Sequence, residues 1–87
     1  MADFDSDRAG ANFVLVELDT GLTFVERAAV SGDEEARLRN HKNARKAYDT
    51  ALQFIPRATL TPTEKRCIEE KLAALKARLE AAGEELE

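Results

Sequence analysis

The chain has 87 residues, of which 44% are hydrophobic, 34% charged and 6% aromatic, and its formal net charge is −4. This length predicts a single domain, and one cysteine permits neither an internal disulfide nor a cysteine-rich metal site. No apolar run is long enough to span a membrane. The acidic start also lacks the basic segment and apolar core of a signal peptide, so we expect a cytoplasmic protein.

The charges are unevenly distributed along the chain. Residues 1–36 carry a net charge of −7, residues 37–66 a net charge of +6 and residues 67–87 a net charge of −3. An antiparallel helical bundle would set the basic middle against two acidic neighbours, which favours pairing within the molecule. The alternative is a basic surface that binds phosphate, nucleic acid or an acidic partner.

The first part of the chain predicts a mobile acidic N-terminus over residues 1–8 and a helix over about residues 9–30. Phe13 to Leu18 alone could form a strand, but no second strand is predicted anywhere for it to pair with. Apolar residues instead recur with helical spacing and form a wide stripe. Gly21 is predicted to be a weak point of this helix or a position of close packing. The stripe contains Phe13, Leu15, Val16, Leu18, Leu22, Phe24 and Val25.

The second helix is predicted over about residues 33–55. Ser31 to Glu34 could form a capping box, and Pro56 ends the helix. Its bases Arg39, Lys42 and Lys46 share one outer face. The apolar face is predicted to contain Leu38, His41, Ala44, Tyr48, Ala51 and Ile55.

The third helix is predicted over about residues 62–82. Thr61 and Glu64 are predicted to form a capping box around Pro62, and Gly83 is the predicted C-terminal cap. Apolar residues follow one another in steps of four and three, which is typical of one buried helical side. Because the connections are short, the predicted fold is an all-α three-helix antiparallel bundle in one domain over residues 9–87.

Residues 44–56 resemble the second helix of a tetratricopeptide repeat. Ala44, Tyr48, Ala51 and Pro56 match the small, aromatic, small and proline positions of that family. The third helix makes the layout similar to a microtubule-interacting-and-trafficking domain as well. The first helix lacks the Trp, Leu, Gly and Tyr pattern of the tetratricopeptide repeat. No ligand-contacting residue is carried over, because the positions on the groove side do not match a family pattern. The resemblance implies peptide binding in a helix-lined groove rather than catalysis.

Three further features of the sequence bear on catalysis. Asp19-Thr20-Gly21 resembles the catalytic triplet of aspartic proteases, but that chemistry needs an all-β dimer, which the capped helices contradict. His41 is the only histidine and cannot form a metal site or a triad alone. Cys67 lies near cations at the start of the third helix, without an evident base. We therefore expect no catalytic residue, no cofactor and no bound metal.

The function predicted from the sequence is a non-enzymatic helical module that binds a helix or peptide, or a second copy of itself, through apolar surface. The low isoelectric point of about 5.0 argues against nucleic acid as the partner, and nothing predicts a membrane partner. Binding through the basic face of the second helix remains the alternative. The candidate interaction surface contains Phe13, Val16, Leu22, Phe24, Arg39, Lys42 and Lys46.

Overall fold

A computed structural model of the chain describes the backbone of residues 2–86 and the side chains of residues 9–86. It contains three α-helices, α1 (Ala2–Val30), α2 (Glu34–Phe54) and α3 (Pro62–Ala81), and one 3₁₀ turn at Ile55–Arg57. The described residues include no strand, so the predicted all-α fold is confirmed.

The predicted ends of the helices differ from the observed ends by one residue or less, except at the start of α1. That helix begins at Ala2 rather than near residue 9. The side chains of residues 1–8 lie outside the described part of the structure. Their predicted mobility therefore stays a prediction.

Contacts between the helices establish an antiparallel bundle in which α1 and α3 run in the same direction. Gly21 lies close to both Ala47 of α2 and Leu75 of α3. The other pairs that set the register are Phe13 with Phe54 between α1 and α2, and Asp19 with Lys71 between α1 and α3. From the start of α1 to its end, the residue numbers of its contacts on α2 decrease and those of its contacts on α3 increase. Helix α2 is therefore antiparallel to α1 and α3 is parallel to it, as in the predicted bundle.

The core fills the space between the three helices, and no described polar or charged residue is buried in it. Helices α1 and α2 contact each other most extensively, and α2 and α3 contact each other least. Space is therefore left between α2 and α3 at the surface. The central cluster contains Val14, Leu18, Val25, Ala44, Tyr48, Ala51, Ile68, Leu75 and Leu79.

Local hydrogen bonds define where α2 and α3 begin. At α3 the Thr61 hydroxyl accepts from the Glu64 N–H at 3.1 Å, and the Glu64 carboxylate accepts from the Thr61 N–H at 2.9 Å, which confirms the predicted capping box. The predicted cap of α2 is wrong by two residues. Asp33 is the N-cap, since its extended backbone lets its carboxylate accept from the Glu35 N–H, while Ser31 accepts from the Asp33 N–H.

The C-terminus of α3 ends at a glycine cap, as predicted. Gly83 has a φ of 99°, and its N–H donates to the Glu80 carbonyl while the Glu84 N–H donates to the Leu79 carbonyl. This is the Schellman arrangement, which reverses the chain at a left-handed residue. Residues 84–86 consequently leave the helix and lie beside α2, where Leu86 packs against the core cluster.

One predicted core position is wrong. Leu38 is 62% exposed, because it lies on the side of α2 that turns away from α1 and near the end of the bundle. His41, one turn further on, is half-buried, and Ala44 is fully buried. The apolar face of α2 therefore begins about one turn later than its sequence pattern indicates.

Candidate interaction surface

An apolar pocket lies between α1 and the C-terminal end of α2. The rings of Phe13 and Phe54 meet edge to face, with centroids 5.1 Å apart, and the Arg57 guanidinium carbon lies 5.6 Å from the Phe54 centroid. Phe13 remains 42% exposed. The Phe13–Phe54 pocket has a volume of about 350 Å³ and is lined by Ala9, Gly10, Phe13, Phe54, Arg57 and Ala58. It can accept one apolar side chain or a small apolar group.

The four apolar residues of the candidate surface do not lie together. Phe24 is half-buried and lies on the same side of α1 as Phe13, because eleven residues make nearly whole turns of a helix. Val16 is 59% exposed and faces further outward. Leu22 is nine residues from Phe13, which places it on the opposite side of α1, where it packs against the core cluster.

The three bases of the candidate surface are exposed and have no ion-pair partner within residues 9–86. Arg39, Lys42 and Lys46 follow one another at spacings of three and four residues along the outward side of α2. Among the described residues Arg45 pairs with Asp49, whereas the pairs Glu35–Arg39 and Lys42–Asp49, which the helical spacing would also permit, are not formed. Among the described residues, the ion pairs of the basic segment (residues 37–66) are therefore limited to those of Arg45.

Arg45 joins α2 to the segment that follows α3. Its Nε lies 3.1 Å from Asp49 Oδ1, and its Nη1 lies 2.9 Å from Glu84 Oε1 and 3.5 Å from the Glu85 carbonyl oxygen. The hydrogen bonds that the guanidinium donates to Asp49, and to a lesser degree to Glu84, raise its pKa above the usual range. These contacts hold residues 84–86 over the end of the space between α2 and α3.

The space between α2 and α3 forms two further pockets that sequence reasoning missed. The larger, of about 790 Å³, adjoins Arg45, Tyr48, Leu52 and Leu86. The smaller, of about 350 Å³, lies between Leu52 and the start of α3. Leu52 borders both and is 41% exposed. Leu52 follows Ala51 of the predicted apolar face, and this position was the only sequence signal for the two pockets. The sequence does not show that α2 and α3 diverge.

Asp19 of the protease-like triplet lies inside α1 and forms a surface ion pair. Its carboxylate Oδ1 is 2.6 Å from Lys71 Nζ, and the hydrogen bond raises the pKa of the lysine. Asp19 thus forms a contact between two helices, whereas the catalytic aspartate of a dimeric aspartic protease lies in a β-structure at the dimer axis.

His41 and Cys67 do not converge on one site. Cys67 is next to Ile68, which lines the same pocket as Ile55 at the C-terminal end of α2. His41 is fourteen residues before Ile55, which corresponds to about 21 Å along a helix. Cys67 and His41 therefore lie far apart. No group of three or more His, Cys, Asp or Glu residues suited to a metal ion occurs in the described part of the chain. Within that part, no helix combines the length and apolar character needed to cross a membrane.

Comparison with known proteins found no matching family model, no matching curated protein and no matching solved structure. The resemblance of residues 44–56 to a tetratricopeptide repeat, and of the layout to a microtubule-interacting-and-trafficking domain, therefore stays a prediction.

Proposed function

We propose that this chain is a non-enzymatic helical interaction module that binds a helix or peptide of a partner protein, or a second copy of itself. The observation that carries the proposal is the Phe13–Phe54 pocket, in which an aromatic side chain remains 42% exposed beside an almost wholly apolar cavity. Docking an apolar side chain into such a pocket is a common way for small helical modules to bind peptides.

Folding leaves apolar surface uncovered at the Phe13–Phe54 pocket. Phe13 and Phe54 stabilise each other edge to face, but solvent still reaches Phe13. Covering an aromatic side chain by a partner gains about 25 cal/mol for each Å² of apolar surface removed from water. Buried aromatic residues of this kind supply much of the binding free energy at protein interfaces.

The proposal is tested by selecting peptides from a random library displayed on phage against the folded protein. We expect the selected peptides to bind the wild type and Val30→Asp equally, and to lose about tenfold or more in affinity for Phe13→Asp. Val30 is the matched control because it is an apolar residue of α1 that is 85% exposed and outside the pocket. Circular dichroism establishes that both variants stay folded.

Two outcomes contradict the proposal: no peptide is enriched, or the enriched peptides bind Phe13→Asp as well as the wild type. Sedimentation equilibrium on the same three proteins distinguishes the two kinds of partner. A dimer that Phe13→Asp dissociates and Val30→Asp preserves assigns the pocket to a second copy of the chain.

A second candidate function is binding of phosphate or nucleic acid through the basic face of α2. The absence of ion-pair partners for Arg39, Lys42 and Lys46 among the described residues favours it. Binding of a single-stranded oligonucleotide that weakens steeply with salt is the measurement that separates this function from the first.

A further inference from the structure

The outer surface where α1 lies against α2 extends from the Phe13–Phe54 pocket toward the other end of the bundle. Phe24 and Thr20 of α1 are half-buried on the same side as Phe13, and Thr50 and Asn43 of α2 are half-buried opposite them. We call this surface the α1–α2 groove. The antiparallel contacts that place its two walls side by side are Gly10–Ala58, Phe13–Phe54 and Gly21–Ala47.

Positive charge predominates along the α1–α2 groove. Arg57 lies at the pocket, Lys46 and Arg39 follow on the α2 side, and Arg27 lies on the α1 side. All four are exposed, and none has an ion-pair partner in residues 9–86. The carboxylates nearest this surface by helical position are Glu17 and, at the far end, Glu35. The groove thus combines an apolar pocket at one end with four exposed cations along its length, against the two carboxylates of Glu17 and Glu35.

We propose that the α1–α2 groove binds an acidic amphipathic helix. One apolar side chain of that helix enters the Phe13–Phe54 pocket, and its carboxylates lie against Arg57, Lys46 and Arg39. This inference rests on the proposed function and names the chemistry of its partner. From Arg39 to Arg57 the groove extends about 27 Å, which is the length of a helix of about 18 residues.

Two features of the groove favour a peptide helix over a nucleic acid. The Phe13–Phe54 pocket is lined almost only by apolar atoms, and it is filled best by an aliphatic or aromatic side chain, which an amphipathic helix presents every three to four residues. The cations are spaced along the groove rather than clustered, so that successive carboxylates on one flank of a bound helix can each meet one of them. Complementary charge of this kind sets the orientation of the partner and speeds its association.

The test uses two designed peptides of about 18 residues with the same leucine face. One carries glutamate at its polar positions and the other carries lysine. Fluorescence anisotropy of the labelled peptides measures their affinity for the wild type, for Phe13→Asp, for Arg39→Glu/Lys46→Glu, and for the control Lys65→Glu/Arg66→Glu. The control makes the same change of net charge at exposed bases of α3.

We expect the glutamate peptide to bind the wild type and the α3 control with similar affinity. Arg39→Glu/Lys46→Glu weakens that binding by about tenfold or more, and so does raising the salt from about 50 to about 300 mM. Phe13→Asp weakens it as well. The lysine peptide binds the wild type at least about tenfold more weakly than the glutamate peptide.

If both peptides bind with equal affinity and Phe13→Asp weakens the binding of both, the proposal of an acidic partner is wrong, while the proposed interaction module is supported. Binding of neither peptide, or binding that Phe13→Asp leaves unchanged, overturns this inference. The selection of peptides from the random library then tests the proposed interaction module separately. Tighter binding of an oligonucleotide than of the glutamate peptide, abolished by Arg39→Glu/Lys46→Glu, also overturns the inference and assigns the bases to nucleic acid.

Discussion

Gly21 lies where all three helices come close to one another. A Cβ atom at this position would lie 2.6 Å from Leu75 Cδ2 and 3.3 Å from the Ala47 Cβ. Leu75 is fully buried, so its side chain has little room to move aside. The glycine that weakens α1 as an isolated helix therefore permits the tertiary contact.

Two glycine-to-alanine substitutions in α1 are expected to change stability in opposite directions. Gly21→Ala destabilises the protein by about 1 kcal/mol, since the cost of overpacking exceeds the gain in helix propensity. Gly10→Ala stabilises it by about 0.5–1 kcal/mol, because the new Cβ meets Ala58 at an ordinary 3.6 Å. Urea denaturation measures both. A stabilised Gly21→Ala would show that Leu75 repacks freely.

At the scale of single elements, local chemistry accounts for where the helices begin and end. The capping box at Thr61 satisfies two N–H groups that a helix start otherwise leaves unpaired. Gly83 ends α3 through its positive φ. The end of α3 also directs residues 84–86 toward Arg45, so a local signal sets up a contact with another helix.

The capping box gives a prediction for α3. Thr61→Ala removes the hydroxyl that accepts from the Glu64 N–H and is expected to lower the free energy of unfolding by about 1 kcal/mol. Thr59→Ala is the matched control, because Thr59 is exposed in the same connection and makes no capping hydrogen bond. Thermal denaturation followed by circular dichroism compares them. Equal melting temperatures for the two variants would contradict a stabilising cap.

At the scale of the whole molecule, burial is unequal among the three helix pairs. Helix α1 contacts both α2 and α3 more extensively than these two contact each other, and the α2–α3 side is left partly open. Leu75 and Leu52 illustrate the difference, since the first is fully buried and the second is 41% exposed. A chain of this length has a small total stability, so one core leucine is a large share of it.

Truncating these two leucines is therefore expected to have very different effects. Leu75→Ala lowers the free energy of unfolding by about 2–5 kcal/mol, because it leaves a cavity between three helices. Leu52→Ala lowers it by about 1 kcal/mol or less, because its side chain already borders solvent. Urea denaturation of the two variants gives the comparison. Similar losses would mean that the α2–α3 side is as well packed as the centre.

Sequence reasoning reached part of the candidate site and missed the rest. It named Phe13 and the bases Arg39 and Lys46. It did not name Phe54 or Arg57, which complete the Phe13–Phe54 pocket. It also grouped Leu22 with Phe13, although the two lie on opposite sides of α1. A wide apolar stripe indicates that a helix is buried on several sides, but not which side faces which neighbour.

The sequence by itself determined the number of helices, most of their boundaries and the antiparallel order, because caps, breakers and periodicity act between residues a few positions apart. Only the tertiary structure decided that Gly21 lies against Leu75, that Arg45 pairs with both Asp49 and Glu84, and that Arg39, Lys42 and Lys46 remain exposed. These outcomes depend on the rotation and spacing of whole helices. That arrangement is set by the sum of many side-chain contacts in the core, and no local pattern of residues encodes it.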